Sequence, residues 1–378
     1  MKGYIFSALL IAGTSFYASG ALAQTRHAAG TSAAKPASRK TVVKKKRILR
    51  SPVVDPTIGD NVDGDDLTIR RAAVEALGNQ AGSIVVADPN TGRILTIVNQ
   101  KLALKSGFTP CSTIKLVTSL AALSEHVVEP NDLLHLGRYM QYNMTTALAI
   151  SNNQYFAALG KRLGFERVVR YAQMMGFGEK AGLDIEGEQP GSIVDHEPKF
   201  GGVGMMTSFG EGFEVTPLEL AALLSAIANG GTLYYLQYPR NPSEIEQFAP
   251  RVKRVLDIAP NGINDIKVGM RGAVDYGTAR RANYDPNEPI FGKTGTCTDF
   301  RAGSHMGWFG SFNETGTHSL VVVVMLTSPV KSVSGAVASG VAGAFYRNLA
   351  QQRYFASNDM RKSDLPEILS CCTRAADK

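Results

Sequence analysis

No aspartate or glutamate occurs before Asp55 in this 378-residue chain, although 33 acidic residues follow. The formal charge of +7 is therefore misleading. Ten of the 40 basic residues, Lys2 and the run from Arg26 to Arg50, lie in that acid-free stretch. From residue 51 onward 30 basic residues face 33 acidic ones, a balance of −3. The basic character is local, so the high pI gives no reason to expect a nucleic-acid partner. Cysteine is also scarce. The four thiols, Cys111, Cys297, Cys371 and Cys372, have no metal-ligand spacing, and no metal site is expected. Internal repeats are absent. The one long apolar stretch, Tyr4 to Ala18, is broken by Gly13, Thr14 and Ser15. It reaches about 20 residues only if its small polar members are counted, which is marginal for spanning a bilayer. With 44% apolar and 19% charged residues, the chain is not a disordered one.

What is present begins with the parts of a secretory signal. Lys2 precedes the apolar stretch, and Ala21-Leu22-Ala23 before Gln24 is an A-x-A cleavage site. Residues 1–23 are read as a signal peptide, with an uncleaved membrane anchor as the alternative. Either places the body of the protein outside the cytoplasm, in the periplasm, where disulfides are permitted. Residues 24–66 read as a basic, low-complexity linker. Its lysine run is a solvated tether, or in a sharper reading a contact with anionic membrane or wall polymer.

The folded part is expected over 67–355, followed by a polar tail, 356–378. Asp66 is a plausible N-cap, and Leu67, Ile69, Ala72, Ala73, Ala76 and Leu77 have helical spacing ended by Gly78. Residues 83–87 and 94–98 flank the turn cluster Asp88-Pro89-Asn90-Thr91-Gly92 and read as a β-hairpin. Helical patterns follow over 154–163, 166–175, 218–229 and 262–274. Strands return at 290–297, 306–312 and 319–326, and a helix rich in small residues closes the domain at 336–354. The fold class is mixed α/β in the α+β sense. A central, mainly antiparallel sheet is assembled from both chain ends, flanked by helices, with an all-helical insert.

Three short motifs carry the chemistry. Ser112 and Lys115 open what reads as a buried helix, three residues apart and so on one face. A serine beside a base is the minimum for acyl transfer. Ser151-Asn152-Asn153 follows, and then Lys293-Thr294-Gly295-Thr296 on an apparent strand. Singly each is weak, and Ser-x-Asn is common in loops and helix caps. In this order they are far more specific. The chain resembles the transpeptidase domain of the class B penicillin-binding proteins, which share a serine acyl-enzyme fold with β-lactamases. The resemblance extends over roughly residues 66–355, including Ala147 to Ala157, Ser208-Phe209-Gly210-Glu211-Gly212 and Val215 to Ala221.

The resemblance implies roles. Ser112 is the nucleophile, and its helix start favours developing negative charge. Lys115 is its base, workable only if burial or a nearby charge such as Lys293 lowers its pKa. Ser151 relays a proton to the leaving amine, and Asn153 binds a substrate amide. Lys293, Thr294 and Thr296 hold the substrate carboxylate, and Gly295 lets a peptide lie along the strand edge. The backbone N–H groups of Ser112 and Thr296 form the oxyanion hole. No cofactor is needed. The implied partners are peptidoglycan stem peptides ending in D-Ala-D-Ala, β-lactams as covalent inhibitors, and other wall-synthesis proteins.

Two departures from the family stand out. Only a linker precedes the domain, so a solo domain is expected. Cys111 replaces the glycine usual before the nucleophile, and Cys297 follows the Lys-Thr-Gly-Thr strand. That fold sets the two motifs side by side, so Cys111 and Cys297 can form a disulfide there, a redox lock or a staple; two buried thiols are the simpler alternative. The same acyl-enzyme could instead go to water, as in a D,D-carboxypeptidase or a β-lactamase. Asn153 argues against class D, and no Glu-containing motif of the class A type is evident. A non-catalytic β-lactam or muropeptide sensor, or a scaffold, is the rival from a different class.

Overall fold

The computed structural model describes residues 55–355 apart from 106, 301–302, 315–317 and 331. The signal or anchor segment, the linker up to residue 54 and the tail 356–378, with Cys371 and Cys372, lie outside the described residues.

Asp66 caps α1 (Leu67–Leu77), accepting from the N–H groups of Thr68 and Ile69, and Gly78 closes the helix. β1 (Gly82–Ala87) and β2 (Ile94–Val98) form the hairpin. Its turn is held by the Asp88 carboxylate, which accepts from Asn90 N–H and the Thr91 hydroxyl. From the other chain end come β3 (Ile290–Asp299), β4 (Ser304–Asn313) and β5 (Val321–Ser328). The strand order is β2-β1-β5-β4-β3, every neighbour antiparallel. The two chain ends join where β1 meets β5, with Val85 opposite Val323.

β5 explains why both faces of the sheet are covered. Val321, Val323 and Met325 point into a core shared with α2 (Lys115–Ser124) and α7 (Pro217–Ala228). Val322, Val324 and Leu326 point the other way, into a core with α1 and α9 (Gly335–Gln351). Alternation at a period of two sends successive valines to opposite faces, so a strand buried on both reads as one continuous apolar run.

Between the two groups of strands lie α3 (Met144–Ala149), α4 (Asn153–Leu163), α5 (Phe165–Met174), α6 (Gly202–Phe209) and α8 (Gly262–Asp275). The main elements of the insert are helical as expected. Three ribbons are added to them: Leu134–His135 with Gln141–Tyr142, Ser192–Ile193 with Phe213–Glu214, and Thr232–Tyr234 with Val252–Val255. Strands this short carry no legible alternation.

The linker expectation needs correcting at its end. Residues 55–66 do not stand off as a tether. Arg70 of α1 is buried between Asp60 and Asp65, with an N–O distance of 2.9 Å to each. Asp60 also accepts from the backbone N–H groups of Asn99 and Gln100. An Asp/Gly-rich composition looks like linker, yet two of these aspartates neutralise a guanidinium under the sheet. Arg70→Leu would leave both carboxylates buried without their cation. It is expected to cost about 3–5 kcal/mol of stability, measured as a lower urea midpoint at unchanged slope.

Candidate active site

The serine motif does not begin in an α-helix. Cys111–Ile114 form a 3₁₀ turn, and the α-helix starts at Lys115. Pro110 precedes the turn, and Cys111 adopts φ 53°, a left-handed conformation that favours glycine. Here that residue is held covalently. Its sulfur is bonded to that of Cys297 on β3, with the Cα atoms 5.5 Å apart. Gly295 shows how closely β3 meets this turn. A Cβ there would lie 3.0 Å from the Pro110 carbonyl oxygen and 3.2 Å from Cys111 Cβ. The glycine is thus favoured by packing against the serine turn, a reason additional to the peptide approach expected of it. β3 is nonetheless an edge strand of the sheet, so the position is suited to strand addition.

The second motif is a helix start. Asn152 caps α4 by accepting from Tyr155 N–H, which places Asn153 at its first position. Ser151, just before the cap, is also left-handed at φ 57°. Two strained non-glycine residues beside one cleft fit a site held by its surroundings. What holds Ser151 is a pair of lysines. Lys115 Nζ lies 3.0 Å from Ser151 Oγ, 2.8 Å from Ser151 O and 2.6 Å from Asn153 Oδ1. Lys293 Nζ donates to Ser151 Oγ at 2.8 Å and to Thr294 O at 3.0 Å.

Both lysines are fully buried. Burial pushes the Lys115 amine down to about 5, helped by the charge of Lys293. Burial alone brings Lys293 down to about 7. The charged form of each loses hydration, and two ammonium groups around one hydroxyl repel. At neutral pH Lys115 is an uncharged amine with two hydrogens and a lone pair. Ser151 O and Asn153 Oδ1 can only accept, so they take the hydrogens. The lone pair then faces Ser151 Oγ, and a chain runs from Lys293 N–H through the Ser151 hydroxyl to Lys115. The Ser112 hydroxyl is turned to the Ser208 carbonyl, 3.4 Å away.

The cleft is bounded by Ser112, Ser151, Asn153, Thr294 and Thr296, with Phe209 as a wall. Phe213 and Trp308 are core. Thr296 Oγ1 accepts from Gly335 N–H at the start of α9, 2.7 Å away. Motif reading missed the segment between α8 and β3. There Thr278 and Thr294 share a hydroxyl hydrogen bond of 2.6 Å, and Arg280 and Arg281 also line the cleft. The stretch Ser208 to Gly212, already singled out by the resemblance, meets the serine turn at Gly210. A Cβ there would sit 2.6 Å from Pro110 Cγ, so the stretch after Ser208 packs under the serine turn. The Gly277-Thr278 pair after a helix was the available signal for the segment that was missed.

A sheet built from both chain ends, with a serine, two buried lysines and a second serine at its edge strand, defines the class as a penicillin-binding type of fold. A family model described as the penicillin binding protein transpeptidase domain matches residues 82–350. Stage V sporulation protein D of Bacillus subtilis is 30% identical over 284 residues, covering 67% of this chain and 44% of that protein. Peptidoglycan D,D-transpeptidase MrdA of Acinetobacter baumannii is 26% identical over 303 residues, covering 64% and 45%. The chain thus spans somewhat under half the length of these relatives. The transpeptidase domain of penicillin-binding protein 3 from Burkholderia pseudomallei superposes with a TM-score of 0.67 at 20% identity, over 78% of this chain and 97% of that one. That last likeness is one of fold. The chain belongs to the penicillin-binding protein transpeptidase domain family.

The two lysines set a pH window. Below about 5 Lys115 is protonated and has no lone pair to accept a proton; above about 7 Lys293 loses its charge. The second-order rate of acylation by benzylpenicillin is expected to be bell-shaped, with limbs near those values. In Lys293→Met the acidic limb moves to higher pH, because the repelling charge on Lys115 is gone. A stopped-flow pH profile of both proteins checks this.

Proposed function

We propose that this domain is a peptidoglycan D,D-transpeptidase. It attacks the D-Ala-D-Ala end of a stem peptide, releases D-Ala, and passes the acyl group to an amine, cross-linking the wall outside the cytoplasm. One observation carries the proposal: the Ser151 hydroxyl bridges an uncharged Lys115 and Lys293 within the same cleft as Ser112. That arrangement supplies a base, a proton path and an anion site without further groups. The names of the relatives support the substrate class.

Ser112 Oγ attacks the penultimate carbonyl carbon while its proton passes to Lys115 Nζ. The tetrahedral oxyanion is held by the N–H groups of Ser112 and Thr296. The proton then moves from Lys115 through Ser151 to the departing nitrogen, the C–N bond breaks, and D-Ala leaves. The ester on Ser112 remains. An acceptor amine attacks it, its proton returns along the same path, and Ser112 is regenerated. Lys293, Thr294 and Thr296 hold the terminal carboxylate, Asn153 holds a backbone amide, and the donor peptide adds to the edge of β3. The Cys111–Cys297 bond acts as a staple between the nucleophile turn and that strand.

Among the described residues bounding the cleft there is no aspartate or glutamate. A water therefore has no carboxylate to activate it, which favours transfer to an amine over a β-lactamase. Among the described residues no helix is long and apolar enough to cross a membrane. Attachment through the N-terminal segment, and contact with other wall-synthesis proteins, are part of the same proposal.

A fluorescent penicillin is expected to label the wild type on Ser112 and persist for minutes to hours, and Ser112→Ala to take no label. A stem pentapeptide with an amine acceptor should then give cross-linked product and free D-Ala. Absence of wild-type label overturns the proposal. Release of label within seconds indicates a β-lactamase, and D-Ala release without cross-linking a carboxypeptidase.

A further inference from the structure

We propose that Arg280 and Arg281 form a second carboxylate subsite, which selects donor chains carrying an additional carboxylate near the reacting carbonyl. The inference rests on the transpeptidase reading above and deepens it. Both arginines lie in the short turn Arg280–Ala282 between α8 and β3, and both are exposed. They line the same cleft as Ser112 and Thr294. Among the described residues the ion pairs of arginine involve other side chains, and neither of these two takes part.

The turn is clamped on two sides. Thr278 N–H donates to Ala149 O at 3.2 Å, and the Thr278 hydroxyl meets that of Thr294. At Gly277 a Cβ would fall 2.2 Å from Ala149 O, so the backbone there presses directly on the segment leading to Ser151. On the other side Gly343 of α9 admits the Arg281 carbonyl oxygen to 2.6 Å of its Cβ position. The stem of Arg281 runs over Gly340, where a Cβ would meet its Cβ and Cδ at 3.6 and 3.7 Å. The backbone is committed to packing, while both exposed side chains belong to the lining of the cleft.

Their charge has no counterpart there. Among the described residues that line the cleft, Arg280 and Arg281 bring positive charge and none is a carboxylate. The terminal carboxylate of the donor is already served by Lys293 and the threonines. Guanidinium binds a carboxylate through two parallel hydrogen bonds. A second anionic group on the donor would relieve the mutual repulsion of the pair and orient the chain along β3. The ligand class is thus a dianionic acyl donor, whether a peptide with an acidic side chain or a β-lactam with one.

Benzylpenicillin and carbenicillin test this, since they differ by a single side-chain carboxylate. Acylation rates are measured for the wild type and for the double variant Arg280→Gln, Arg281→Gln. The carbenicillin-to-benzylpenicillin rate ratio is expected to fall about tenfold or more in the double variant, the loss of one charge-assisted contact. Arg280→Lys with Arg281→Lys is expected to recover part of the ratio. Should the double variant not fold, Arg280→Gln alone gives the same comparison with a smaller drop. An unchanged ratio, or equal slowing of both compounds, overturns the subsite. Failure of the wild type to react with either compound is a different result: it overturns the transpeptidase reading itself.

Discussion

The hydroxyl of Ser151 sits between two lysine amines, and the rest of the site follows from how that is made tolerable. Burying a lysine without an acid partner favours its neutral amine form. Here two of them converge on one oxygen, with Lys293 donating and Lys115 receiving. Burial does the larger part of lowering Lys115, and the neighbouring charge adds to it. What would be a defect in an ordinary core leaves an uncharged amine facing the Ser151 hydroxyl at neutral pH.

Such a cluster must be held from several directions, because its hydrogen bonds join two groups that repel each other when both are charged. Ser151 and Cys111 both adopt left-handed backbone conformations, and each is fixed from outside. Ser151 is fixed by the helix that Asn152 caps and by the lysines. Cys111 is fixed by its bond to Cys297. The glycines at 295 and 210 let the edge strand and the loop after α6 close on the serine turn, where a methyl group would collide with Pro110. The sheet supplies the fixed frame. β3 pairs with β4 along its whole length, Lys293 opposite Gly310 and Gly295 opposite Trp308, so the position of Lys293 relative to the core is not adjustable.

The larger part of this was legible in the chain. Turn chemistry and β-rich stretches located the five strands, Asp66 marked the start of the first helix, and three motifs named the residues that converge. What was not legible depends on contacts distant in sequence. Asp60 and Asp65 looked like linker because composition says nothing of Arg70 reaching back to them. The packing of Gly295 on Pro110 and Cys111 was not legible either, because only the fold brings those residues there. Ser112 sits in a 3₁₀ turn because positive φ at Cys111 bends the chain before the α-helix can begin. Thr278, Arg280 and Arg281 belong to no motif, and only the packing of their turn between the Ser151 segment and α9 brings them to the cleft.

The central claim is that Lys115 is uncharged at neutral pH because of where it is buried and what it faces. Side-chain NMR of lysine labelled with ¹³C at Cε and ¹⁵N at Nζ, titrated with Lys115→Met as the assignment control, measures this directly. The account predicts one resonance titrating near 5, assigned to Lys115, that moves to higher pH when Lys293 is replaced by methionine. A Lys115 resonance that stays that of an ammonium group up to the ordinary lysine range, about 10.4, would contradict it.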